Sequence, residues 1–396
     1  MKILVLTSTY SRSKNDTEPK FVDNLSQYLS NGNTVHVLAP HAPNIPTKET
    51  LDGIPIFRFR YFVEPWQTLT YDGGILPNLK QNPFRLFQVP LFLLCQWLYT
   101  IRLLRNHHYD VVHAHWIIPQ GLVAILARPF AKRRPALVLT SHGGDMFALK
   151  GSIFSSLKAW IARRADHLTV VSSAMKHKAT LLGLEDDTVS VIPMGVDSQG
   201  TFTPPAADKA RDGLIFVGRL VEKKGIEYLI RALPTIIAKY PEQRLVIIGD
   251  GPLRQHLEEL CCSLEVAHAV NFEGALTNHA IPPYLQRAAI AIIPSVVTQS
   301  GDQEGTPVAI METLACGVAT VVSDYPGARD IIQDGDNGFL VPPKAPEQIA
   351  EKVFFLLENS TTRATLGKNG RKSIEDNYDW RIISKAFQSI FDQLVA

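Results

Sequence analysis

The residues best placed to do chemistry lie in Glu304 to Gly317, EGTPVAIMETLACG, where one glutamate leads into Gly305-Thr306-Pro307 and a second, Glu312, follows eight positions after the first. Pro307 suits the first helical position, where its missing N–H costs nothing and its φ is preset. Thr306 is then the expected N-cap, and the unsatisfied N–H groups of the first turn form an anion site that a diphosphate would fill. Glu304 in the loop and Glu312 in the second turn flank that site and can accept hydrogen bonds from sugar and ribose hydroxyls. The plainer alternative is an amphipathic helix with two solvated glutamates. A second segment, Gly218 to Gly225 (GRLVEKKG), directly follows an apolar run, so Arg219 and Lys224 bracket a turn at a strand's carboxyl end. The planar fork of arginine and the point charge of lysine together neutralise a leaving diphosphate without a metal. Against this stands a solvated basic turn paired with Glu222 or Glu227.

Two further joints have the same strand-to-loop character. Gly249-Asp250-Gly251-Pro252 ends the run LVII and opens LRQHLEEL, allowing close approach of a nucleoside or forming only a tight turn. Thr140 to Asp145, TSHGGD, follows another buried run, so His142 is expected to face a ligand from the opposite wall of a cleft, or else to make a structural hydrogen bond. His113 and His115 alternate on one strand face and invite a zinc reading with His142. A further ligand at metal spacing is missing, which favours buried histidines bonded to backbone. No GxGxxG follows the first strand and no GxxxxGK[ST] exists, which argues against a dehydrogenase and a P-loop NTPase.

The elements that must hold these residues alternate. Strands are expected at 3–7, 34–39, 56–61, 111–115, 137–141, 168–171 and 189–193, with helical stripes at 21–29, 122–130, 153–165 and 174–182 between them. In the first stripe Phe21, Leu25, Tyr28 and Leu29 share one face. Ser198 to Asp212 carries two prolines, a glycine and mixed charge, the composition of an exposed linker. Strands then recur at 213–217, 244–248, 270–272, 290–294, 318–322 and 338–341. The expectation is two doubly wound α/β domains, 1–197 and 198–379, facing each other across a ligand cleft, with a final helix at 380–396.

Composition narrows the classes further. The 396 residues carry 40 basic and 38 acidic side chains, so no global field gathers nucleic acid, and any electrostatic partner must be local. Four cysteines, with Cys261 and Cys262 adjacent, match no metal spacing or disulfide framework, which points to reduced thiols, helix packing for that pair and a cytoplasmic setting. The first eight residues read as a strand rather than a signal peptide. The longest apolar stretch, 89–101, is interrupted by Gln96 and Thr100 and falls short of the roughly 20 residues a bilayer span needs. Between Lys80 and Arg134, however, eight basic residues and one acid surround QVPLFLLCQWLYTIRLLR. That segment reads either as an interfacial helix on an anionic membrane or as a core helix with a basic rim.

GRLVEKKG, IGDGP, NFEG followed by PPYLQRA, EGTPVAIMETLACGVATVVS and NGFLVPP occur in the order found in the retaining family 4 (group 1) GT-B glycosyltransferases, and the sequence resembles that family throughout its second half. The first half resembles it more loosely, through the first strand, DVVHAH and SHGGD. The resemblance implies a nucleotide-sugar donor on the second domain, a glycan or polyprenyl-linked acceptor on the first, no cofactor or metal, and a last helix crossing back to the first domain. By matching position it assigns Arg219 and Lys224 to the diphosphate, Glu304 to the donor sugar, Glu312 to the ribose and His142 to the sugar near the reacting carbon. The donor site would also include Gly218, Gly249, Gly251, Gly274 and the backbone of Gly305, Thr306, Pro307 and Val308. In similar enzymes the leaving diphosphate itself takes the acceptor proton. The glycine pair that many members carry after the first strand is absent here, the loop being Thr9-Tyr10-Ser11-Arg12; Arg12, Lys14 and Lys20 are available there for a phosphate or an acidic sugar. Expected functions are therefore sugar transfer in surface polysaccharide synthesis, at the inner face of the cell membrane or free in the cytoplasm, and, as alternatives, sugar-nucleotide epimerisation or non-catalytic sugar-nucleotide binding.

Overall fold

Near-continuous apolar strands must be covered on both faces, and parallel sheets wrapped by helices are how chains achieve this. The computed structural model describes residues 1–13, 16–71, 73–147, 151–206, 211–299 and 301–396. Eight strands form the first sheet: β1 (Lys2–Leu6), β2 (Thr34–Pro40), β3 (Lys48–Leu51), β4 (Ile54–Phe59), β5 (Val111–His115), β6 (Ala136–Ser141), β7 (His167–Val170) and β8 (Val189–Val191). Their order is β3-β4-β2-β1-β5-β6-β7-β8, and every pair is parallel except β3–β4. Strand β3 is absent from the sequence expectation because KETL is polar and partly exposed. The Asp52-Gly53 turn behind it, with φ of 49° and 83°, is the available signal for this hairpin.

The second sheet has β9 (Leu214–Val217), β10 (Leu245–Ile248), β11 (Val270–Gly274), β12 (Ile290–Ile293), β13 (Ala319–Ser323) and β14 (Phe339–Val341) in the order β11-β10-β9-β12-β13-β14. Its core is aliphatic, with Phe216, Leu229, Ile230, Leu233, Ile247, Val321 and Val353 fully enclosed. In each sheet the winding reverses at one place, between β1 and β5 in the first and between β9 and β12 in the second. Loops diverge there and leave a crevice at the strand carboxyl ends.

The chain divides into two compact units, Met1–Ile192 with Ile383–Ala396, and Pro193–Ile382. Residues 193–197 join the second unit because Val196 exchanges backbone hydrogen bonds with Tyr378 and Trp380, as in a parallel bridge. The described part of the expected linker is largely exposed or partly exposed but is anchored at two points. Ser198 and Phe202 are buried, the Ser198 hydroxyl donates to Asp379 Oδ2 at 2.5 Å, and Arg371 donates to the Phe202 carbonyl. Small polar residues are used here to satisfy a buried carboxylate, which composition does not distinguish from solvation. Residues 207–210 lie outside the described residues.

The long apolar segment forms the helix Gln88–Asn106, preceded by a tight turn at Pro83–Phe87. It is longer than expected, and by length and composition alone 83–106 would suffice to cross a membrane. Its orientation inverts the usual pattern. Phe92, Gln96, Thr100, Leu103 and Leu104 are buried, whereas Leu91, Leu94 and Leu98 are 40%, 48% and 51% exposed. Gln96 and Thr100 are tolerated inside because Gln96 donates to the Thr7 carbonyl and Thr100 to the Gln96 carbonyl. The helix Phe21–Leu29 buries Leu25 and Leu29 as expected, but Val22 and Ser26 complete its inner stripe in place of Phe21 and Tyr28, which are partly exposed.

Candidate active site

In the second unit the reversal point gathers charge. Beyond β9 the chain makes a short turn, Glu222–Lys224, ending at Gly225. Gly225 has φ 61°, and a Cβ there would lie 1.9 Å from the Pro294 carbonyl oxygen, so only glycine lets this loop press against the end of β12. That approach brings Lys224 Nζ 3.1 Å from Glu304 Oε2, while Lys223 Nζ lies 3.7 Å from Glu304 Oε1 and 3.6 Å from Asp302 Oδ1. Of the two glutamates that offered an alternative pairing for this turn, Glu227 binds Arg231. Burial by itself would raise the Glu304 carboxyl, but the two ammonium groups outweigh it and hold the group below its ordinary range, as a carboxylate. Glu304 Oε1 is buried without a hydrogen-bond partner. Arg219 is partly buried on the same turn.

Glu312 projects from the helix Val308–Ala315 and is buried, accepting one long hydrogen bond from Asn278 Nδ2 at 3.3 Å. Burial pushes its carboxyl up to about 7, against the opposing pull of Asn278 and Lys224. Lys224 thus acts electrostatically on both glutamates. The start of this helix corrects one expectation: Pro307, with ψ 118°, is itself the cap, and the first helical residue is Val308 rather than Pro307, so Thr306 is not the N-cap. Proline fixes only φ, and an extended ψ is enough to keep it outside the helix.

The glycines of GDGP have a packing explanation. A Cβ on Gly249, at φ 136°, would come 2.0 Å from the Gly218 carbonyl oxygen, and one on Gly251 2.5 Å from that of Leu220. The loop after β10 therefore lies on the loop after β9, and Gly249 N–H bonds the carbonyl of Gly274 at the end of β11. Gly305 is held in the same way, since a Cβ on Gly327 would be 1.8 Å from its carbonyl oxygen. Sequence reasoning missed Lys223, Asp302 and Asn278. The lysine doublet was a usable signal for the first; the other two are positioned only by the fold.

In the first unit the corresponding point gathers rings. His142, just past β6, has its Nε2 2.9 Å from His115 Nδ1, with the two imidazoles parallel to within 10°. His113 Nε2 pairs instead with Thr140 Oγ1 at 2.7 Å. These side-chain partners replace the expected backbone ones. Among the described residues no group of three His, Cys, Asp or Glu could hold a metal ion. Burial depresses His113 and His142 to about 3 and His115 well below its usual value, so all three are neutral at physiological pH. Asp145 organises the loop, accepting from Ile117 N–H at 2.6 Å and from Ser141 Oγ at 2.7 Å. The basic residues expected near β1 are less available than their charge suggests. Arg12 is clamped by both oxygens of Asp16 at 2.9 Å and lies 5.0 Å over the Tyr71 ring, and Lys14 is outside the described residues.

All four cysteines are free thiols; Cys261 packs in the core of the second unit, and Cys262 beside it is exposed.

Two doubly wound sheets of this topology, with loops meeting at each reversal point, are the build of the GT-B glycosyltransferases. The pattern described as Glycosyltransferase Family 4 matches residues 20–199, and that described as Glycosyl transferases group 1 matches residues 201–373. The chain belongs to this family and is a glycosyltransferase. It is 26% identical over 380 residues to the uncharacterized glycosyltransferase MJ1607 of Methanocaldococcus jannaschii, covering 92% of this chain and 90% of that protein. It is 29% identical over 290 residues to the GDP-mannose-dependent alpha-(1-6)-phosphatidylinositol monomannoside mannosyltransferase of Mycolicibacterium smegmatis, covering 71% of this chain and 75% of that one. Among solved structures, HepE of Anabaena in complex with UDP-glucose superposes with a TM-score of 0.76 at 18% identity, covering 99% of this chain and all of that one.

Proposed function

We propose that this chain is a retaining, metal-independent glycosyltransferase that moves a hexose from a UDP- or GDP-sugar to a glycan or lipid-linked acceptor in surface polysaccharide synthesis. The observation that carries the reading is the meeting of Lys224 and Glu304 at 3.1 Å, from the two loops that flank the reversal point of the second sheet. The cation that would hold a diphosphate is paired with the carboxylate that would hold the sugar. A diphosphate entering the site takes Lys224 and Arg219 as its counter-charges, and Glu304, still facing Lys223, becomes the acceptor for donor-sugar hydroxyls. Glu312 accepts from the ribose hydroxyls, and neutral His142 contacts the sugar near its reacting carbon. As the C1–oxygen bond to the diphosphate breaks, the departing phosphate oxygen takes the acceptor hydroxyl's proton, and the acceptor oxygen bonds C1 on the same face. Charge developing on the phosphate is stabilised by Arg219, Lys224 and the N–H groups that open the helix Val308–Ala315, so neither a metal nor a separate base is needed.

The acceptor end of this reading draws on the inverted helix. Leu91, Leu94 and Leu98 share its outer stripe with the exposed Arg102 and Arg105, a face suited to the headgroup zone of an anionic cytoplasmic leaflet, with Lys132, Arg133 and Arg134 exposed nearby in sequence. The relative from Mycolicibacterium, whose named acceptor is a phosphatidylinositol mannoside, supports a lipid-linked substrate.

Calorimetry and thermal shift against UDP, GDP, ADP and their sugar conjugates, with and without chelator, test the donor reading. Selective stabilisation by one nucleotide that chelator leaves intact is expected. Stabilisation that chelator abolishes removes metal independence, and binding with no transfer to any glycan or lipid extract favours the non-catalytic alternative. Conversion of the sugar nucleotide to its epimer in the absence of acceptor would identify an epimerase instead.

A further inference from the structure

Trp116 occupies a backbone conformation that its side chain does not favour. It has φ 73° and ψ 133°, a region natural to glycine and costly for any residue with a Cβ. The surroundings enforce it: Trp116 N–H donates to the Thr140 carbonyl at 2.7 Å, Gly121 N–H to the Trp116 carbonyl at 3.1 Å, and the next amide, Ile117, to buried Asp145 at 2.6 Å. Strain of this kind persists where the side chain it presents has a use.

What it presents is one wall of an aromatic corner. The Trp116 and His142 ring centroids are 5.0 Å apart, Phe21 and His142 4.7 Å, and Phe21 and Trp116 6.1 Å edge to face. These residues follow β1, β5 and β6, neighbours in the sheet at its reversal point. None of the three is fully buried, and Phe21 lies off the buried stripe of its own helix. The polar requirement of the corner is incomplete as well. His142 Nε2 is engaged by His115, while His142 Nδ1 is enclosed and has no hydrogen-bond partner. An apolar ring face beside a neutral imidazole matches a pyranose, which has an apolar C–H face and a rim of hydroxyls.

We infer that Trp116 and Phe21 form a stacking platform for a pyranose ring beside the His142 imidazole. The inference rests on the transferase reading above and adds a binding surface that the charged residues do not supply. Two sources offer that ring, the sugar of the donor and the terminal sugar of the acceptor.

The test uses the full chain labelled with 5-fluorotryptophan, with the Trp116 ¹⁹F signal assigned by its loss in Trp116→Phe. UDP, GDP, UDP-glucose, GDP-mannose and methyl α-gluco- and α-mannopyranoside are titrated in parallel. Movement of the Trp116 signal with a sugar nucleotide but not with the bare nucleotide is expected if the donor sugar stacks there, and movement with a methyl glycoside if the acceptor sugar does. In calorimetry Trp116→Ala is expected to raise the dissociation constant of that same sugar about three- to tenfold, with Trp116→Phe restoring most of the affinity, which a loss of fold would not do. A Trp116 signal that stays fixed with every sugar overturns the platform. Calorimetric binding of UDP or GDP in the same sample then shows whether the donor reading stands without it.

Discussion

At the reversal point of the second sheet the chain assembles charge, and at that of the first it assembles rings. Lys223 and Lys224 are neutralised by Asp302 and Glu304 on the β9 and β12 loops, and Glu312 waits nearby with its carboxyl pushed up to about 7 by burial. Strand β5 and the segments that follow β1, β5 and β6 instead carry Phe21, Trp116 and three histidines kept neutral by burial. The same topology thus builds two different solvents. One is suited to a charge that would grow during reaction, and the other to a neutral ring that it would not perturb.

Removing the charge should produce the largest effect. Arg219→Ala with Lys224→Ala is expected to abolish binding of the nucleotide diphosphate in calorimetry and to lower transfer by more than about 10³-fold, since single charge-stabilising donors account for about 10²–10³ each. Unchanged binding would refute the clamp. Glu304→Gln, which keeps the shape but not the charge, should leave nucleotide affinity within a few-fold while transfer falls on the order of 10²-fold. Near-normal transfer by that variant sinks the sugar-contacting role of Glu304.

Leu91→Ser, Leu94→Ser and Leu98→Ser combined should weaken co-sedimentation with anionic vesicles on the order of 10²-fold, taking about 1 kcal/mol for each partly inserted leucine. Binding that is unchanged by these substitutions, or absent from anionic vesicles at low salt in the unsubstituted chain, removes the membrane face.

The pH dependence separates the two regions further. Donor hydroxyls favour the ionised form of Glu312, so binding releases a proton and affinity should rise with pH, by up to about tenfold per unit below 7, then level off. The neutral histidines contribute no such slope. Glu312→Gln should flatten the profile, and a profile already flat in the unsubstituted chain excludes this titration. Stability moves in the opposite direction. A carboxyl raised above its ordinary value of 4.5 takes up a proton on folding, so its contribution is lost as pH climbs from 4.5 through 7. The smallest effect concerns the ring corner: Trp116→Gly should be more stable to urea than Trp116→Ala by about 1 kcal/mol, because only glycine is at ease at φ 73°. Equal stabilities would show that the backbone there is not strained.

Much of the charged site was legible because it is contiguous. GRLVEKKG and EGTPVAIMETLACG each hold their groups within a few residues after a strand, and cation, carboxylate and glycine types declare their chemistry. The ring corner was less legible. Phe21 read as part of a core stripe, and Trp116 carried no signal beyond its place after DVVHAH, since a left-handed φ at a tryptophan is imposed by Asp145 and Thr140 from another strand. The helix at Gln88–Asn106 shows the same gap from the other side. Its composition allowed either face to be core, and the choice was made by Gln96 finding the Thr7 carbonyl.

The sequence by itself determined the alternation of strand and helix, the two-sheet architecture and the loops that end in charge, because period, glycine placement and ionisable residues are local properties. Tertiary structure alone decided which ammonium meets which carboxylate, which helix face is buried, and that the Ser198 turn packs against Asp379. Those outcomes depend on groups 80 to 181 residues apart competing for the same partner, and only folding brings such competitors into one place.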